Sequence, residues 1–119
     1  MFTFGITINN AESVKSGTYY NFTKSHVFDP KKKITKIVTT VHKQEALIMQ
    51  IKFFSGEELL CVMGGSDVNV RILGGRVVTF EIADDEQLIG AELYNGTIDG
   101  CGDKDYFVGV TWLKMKITN

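Results

Sequence analysis

The chain has 119 residues, of which 44% are apolar and 23% charged, and its net charge is −1. That size and balance fit one globular domain, residues 1–119, and fit neither a disordered chain nor a membrane protein. A near-neutral chain lacks the concentrated basic surface that phosphate recognition needs, so nucleic acid is not expected as a partner.

No apolar run approaches the roughly 20 residues of a spanning helix, and the first fifteen residues, with Asn, Glu, Ser and Lys, do not form a signal sequence. A cytoplasmic protein without membrane insertion is therefore expected. Cys61 and Cys101 are too few for a disulfide scaffold and suit a reducing compartment. Twelve glycines against the single Pro30 indicate corners turned mostly with glycine.

In chain order, Phe2 to Ile8 and Gly17 to Phe22 read as strands, with the segment Ala11 to Lys15 between them ambiguous. Lys31-Lys32-Lys33 reads as a solvated lead-in to the first long apolar segment, which begins at Ile34. From there the dominant period is two. Leu47, Met49, Ile51 and Phe53 share one face of a strand, with Gln50 and Lys52 on the other. Ser55-Gly56-Glu57 is a turn, and Glu58 to Met63 returns as a strand. Asp67 to Ile72 alternates with Val68, Val70 and Ile72 on one side, and Leu73-Gly74-Gly75 is expected to turn the chain. Val78, Phe80 and Ile82 share a face of the next strand. Ala83 to Glu86 connects it to another strand over Gln87 to Leu93. Tyr106 to Ile117 closes the set, with Leu113, Met115 and Ile117 expected inside and Lys114 and Lys116 in solvent.

No segment reads as a helix. About nine to eleven short strands with glycine-rich turns define an all-β sandwich, barrel or prism. The units Ile34 to Phe54 and Gln87 to Ile117 each pair two long apolar strands around a polar connection, a faint repeat that suits a pseudo-symmetric β fold.

Catalytic patterns are missing: His26 and His42 stand in no nucleophile, zincin or phosphate-loop motif. No zinc-finger spacing links the Cys and His residues. A non-enzymatic protein without cofactor or metal is expected. The segment Tyr94 to Tyr106, YNGTIDGCGDKDY, concentrates the remaining chemistry. Asp99, Asp103 and Asp105 are hard oxygen ligands, but their order does not match an EF-hand, and Lys104 offsets their charge. The same residues suit a solvated β connection, because Asp and Gly tolerate turns. They also suit sugar recognition, in which carboxylates hold hydroxyls and an aromatic face, here Tyr94 or Tyr106, covers the ring. Trp112 joins such a site only if it faces outward.

The order of segments is more specific. Lys33-Ile34-Thr35-Lys36-Ile37, Ile51 to Gly56, a GG turn, Phe80 to Gly90 and Phe107 to Asn119 follow one another. This order resembles the jacalin-related lectins over residues 33–119. The resemblance implies β-prism I: three Greek-key sheets about a pseudo-threefold axis, permuted or incomplete here. Ser16 to Phe22 is similar to the strands that follow the family's T-N, which here is Thr118-Asn119. It also implies metal-free binding of mannose- or galactose-type glycans or glycoproteins, with avidity from a homo-oligomer. Tyr106 and Phe107 stand where the family often places loop contacts. The expected carbohydrate site is therefore Tyr94, Asp99, Asp103, Asp105, Tyr106 and Phe107. The family's G-x-x-x-D motif is not found, because Gln44 and Ile48 stand for its Gly and Asp. One lost charged hydrogen bond, about 1.5–3 kcal/mol, is enough to abolish weak monosaccharide binding. The alternative is a β-rich protein-interaction or oligomerisation module without a sugar site.

Overall fold

The computed structural model describes residues 5–8, 12–15, 18–21, 24–44, 47–96 and 106–117. These form strands β1 (Gly5–Ile8), β2 (Glu12–Lys15), β3 (Thr18–Asn21), β4 (Lys24–Val27), β5 (Lys36–His42), β6 (Ile48–Ser55) and β7 (Glu58–Gly64). Helix α1 (Asp67–Leu73) follows, and then β8 (Gly74–Glu81), β9 (Glu86–Gly96) and β10 (Tyr106–Lys116). The protein is mainly β, with one short helix among the described residues.

Every described pairing is antiparallel. One sheet has four strands in the order β7-β6-β5-β8, and β1-β4, β2-β3 and β10-β9 are two-stranded. In the larger sheet three hairpin-linked strands are followed by a fourth that returns beside the first, which is a Greek key. The described pairings do not join the sheets into a closed prism.

Most of the aromatic core lies on one face of the Greek-key sheet. Ile37, Ile51, Phe53 and Met63 are fully buried there, and Cys61 is nearly so. Phe28 and Trp112 meet Phe53 edge-on at 5.1 and 5.5 Å between ring centroids, a favoured aromatic geometry. Phe28 thus brings the segment after β4 to the core, and Trp112 brings the β9–β10 ribbon.

Three expectations are corrected. Gln50, expected in solvent, is buried. β6 carries a bulge opposite Thr40 and Val41, so that Gln50 pairs with Thr40 and Ile48 with Val41. The extra residue is Met49, beyond Gln50, so Gln50 keeps the face of Lys52 and is buried there against the Gly65 to Asp67 segment. On the second face, beside α1, Gln50 Nε2 donates to the Gly65 carbonyl and to Asp67 Oδ1, both at 3.0 Å.

Asp67 to Ile72, expected as a strand, is helical. Ser66 caps it, its hydroxyl accepting the Asn69 N–H at 3.2 Å, so an otherwise unpaired donor of the first turn is satisfied. Val70 and Leu73, three apart, pack on the core while Val68 and Ile72 stay exposed, the helical spacing instead of alternation. Gly74 and Gly75, expected as a turn, begin β8 directly after the helix. A Cβ on Gly74 would collide with the Val70 carbonyl, and one on Gly75 would come within 2.6 Å of Lys43 Cα.

The third correction concerns β10. Leu113, Met115 and Ile117, expected inside, are 38%, 51% and 46% exposed, whereas Trp112 and Val110 pack on the core. Lys114 and Lys116 are exposed, as expected, and Lys114 Nζ reaches back to the sheet, 2.8 Å from Glu86 Oε1, donating to the Glu81 carbonyl at 3.0 Å and 5.2 Å from the Phe80 ring centroid. Two of its three N–H donors are thereby paired while the side chain stays open to solvent.

Candidate functional site

The outer face of the β9–β10 ribbon follows from its register. Gly109 pairs with Tyr94, Thr111 with Glu92 and Leu113 with Gly90. These positions alternate outward along both strands. A bulge then inserts Ile89 into β9, so that Leu88, of the same parity as Glu92, turns inward and is buried.

Tyr94 is the one expected site residue whose side chain is described. It is 47% exposed. Its OH donates to Glu92 Oε2 at 2.8 Å, a charge-assisted bond that holds the phenol in place. Gly109 lies against the ring: a Cβ there would make ordinary van der Waals contact with Tyr94 Cδ2 at 3.5 Å. The result is an open aromatic surface beside a carboxylate, the two group types that sugar recognition uses.

Tyr106 and Phe107 open β10, opposite Gly96 and Asn95. The register therefore sets both at the same ribbon end as Tyr94. Asp99, Asp103 and Asp105 lie outside the described residues. Glu92 was missed in the sequence, although its place two residues before Tyr94 on a strand is the signal for a shared face. Trp112, considered as an outward contact, faces the core and does not reach this platform.

The other chemical candidates have structural partners. His42 is buried, and its Nδ1 accepts the Gln44 N–H at 3.0 Å. Lys32 Nζ lies 2.6 Å from Glu58 Oε2, and that hydrogen bond raises the lysine's pKa. Lys33 Nζ donates to the Ala83 and Asp84 carbonyls. The basic run thus ties loops together. Asp67 has its pKa lowered by the Gln50 hydrogen bond and then by Lys52, whose Nζ is 3.0 Å away. Glu86 has its pKa lowered first by Lys114 and then by the Ala83 N–H.

Among the described residues no group of three or more His, Cys, Asp or Glu is placed to hold a metal ion. No described helix is long and apolar enough to cross a membrane. Compared with protein-family models, characterised proteins and solved structures, the chain matches none.

Proposed function

We propose that this chain is a non-catalytic carbohydrate-binding domain that recognises glycans at the loop end of the β9–β10 ribbon. The observation that carries the reading is the exposed Tyr94 ring, seated beside Gly109 and fastened to Glu92. A pyranose laid on that ring buries its C–H face, and the Glu92 carboxylate accepts from a ring hydroxyl. Tyr106 and Phe107, with Asp99, Asp103 and Asp105 of the connection, complete the site in this reading. The Greek-key sheet suits a jacalin-like β-prism architecture. Each site is weak alone, and homo-oligomerisation supplies avidity.

A second reading is favoured by a different observation. Ile89, Leu113, Met115 and Ile117 expose apolar surface on the same ribbon, as a protein-interaction or oligomerisation module without a sugar site would. A glycan array separates the two. The first reading expects array binding that Tyr94→Ala and the Asp99/Asp103/Asp105 triple alanine variant both lose. A blank array with the wild-type protein supports the second.

A further inference from the structure

A cleft of about 430 Å³ lies between β8 and β10, and neither Tyr94 nor Glu92 lines it. Its volume falls in the range of small-molecule sites, roughly 300–1,000 Å³. Phe80, Val110 and Trp112, all partly buried against the core, form an apolar wall together with Ile48 and Val78. Val78 is 46% exposed, so the cleft reaches solvent.

Two polar features distinguish this cleft from a packing defect. Arg76 lines it, is exposed, and makes no ion pair or side-chain hydrogen bond among the described residues. Thr39 also lines it, is only 6% exposed, and its hydroxyl has no described partner. Buried hydroxyls are ordinarily hydrogen-bonded. The lining contains no carboxylate to neutralise Arg76. Among the described residues β8 pairs only with β5, and β10 only with β9. Thr79 and Thr111 line the cleft from those two strands.

We infer that this cleft binds a small amphiphilic monoanion: its apolar body lies along Trp112, Phe80 and Val110, and its carboxylate pairs with the Arg76 guanidinium. The planar fork of arginine matches a carboxylate in two parallel hydrogen bonds. The apolar wall excludes water from the rest of the molecule. The two readings stand on different side chains: Tyr94 and Glu92 do not line this cleft, and the two sites share only Gly109, which has no side chain.

Trp112 is the only tryptophan of the chain, so its fluorescence reports directly on the cleft. Titration with decanoate is expected to give a saturable change in Trp112 emission. Decanol and decylamine, with the same chain and no anion, are expected to bind tenfold or more weaker, the ratio that a charged hydrogen bond corresponds to. Arg76→Gln should reduce decanoate binding to the level of decanol. Val78→Phe, at a solvent-open position, should fill the cleft and remove the response to decanoate and decanol alike. Trp112 emission that does not respond to decanoate, decylamine binding as tight as decanoate, or undiminished decanoate binding by Arg76→Gln would each overturn the proposal.

Discussion

The Greek-key sheet and the β9–β10 ribbon are built from the same kind of alternating sequence and use it in opposite ways. In the sheet, burial on both faces makes alternation hard to see: Ile48, Met49, Gln50 and Ile51 are consecutively buried. In the ribbon the alternation is clear, yet the more uniformly apolar set, Leu113, Met115 and Ile117, faces out. Trp112 decides the phase. Its ring packs edge-on against Phe53, and Lys114, two residues on, stays exposed while its Nζ reaches Glu86 and the Glu81 carbonyl. Hydrophobicity summed along one face therefore ranks below one large aromatic with a packing partner.

Four substitutions sharpen that contrast, with the largest effect expected at Phe53. Phe53→Ala removes the ring on which Phe28 and Trp112 both converge, and a loss of about 3–5 kcal/mol in urea unfolding is expected. Trp112→Ala separates ribbon from sheet at a half-buried position, and about 2–3 kcal/mol is expected by the same measurement. Leu113→Ser, its neighbour in sequence, should change stability by no more than about 0.5 kcal/mol. Equal losses at the two positions would break the contrast. Ser66→Ala removes the cap of α1 and should cost about 1 kcal/mol, measured as a shifted urea midpoint with unchanged slope.

The smallest effect is a pH dependence. Asp67 and Glu86 both have folded pKa values below their ordinary 3.8 and 4.5. The unfolded chain therefore takes up protons first as pH falls through that range. Their contribution is complete above about pH 5 and declines below it, until pH passes under the folded values. Urea midpoints followed from pH 6 to pH 3 should fall, and Asp67→Asn should flatten part of the decline.

Much of this was legible in the sequence. The turn at Ser55-Gly56-Glu57 is present, with Gly56 at φ 60°, and β6, β7, β9 and β10 lie close to where alternation put them. Bulges were not legible, because an extra residue is defined only against its partner strand. α1 was not, because Val68, Val70 and Ile72 fit a strand while Val70 and Leu73 fit a helix; the Ser66 cap was the tie-breaking sign. At the site, Tyr94 was named as a candidate contact and its ring is exposed, whereas its link to Glu92 needed the register of the ribbon.

The facing of β10 is tested most directly by mild peroxide oxidation of the native protein, read by peptide mass spectrometry. Met115 is 51% exposed, and Met49 and Met63 are fully buried. Thioether oxidation follows exposure, so Met115 should convert to sulfoxide while Met49 and Met63 remain reduced until denaturant is added. Met115 protected to the same degree as Met49 and Met63 would contradict the account.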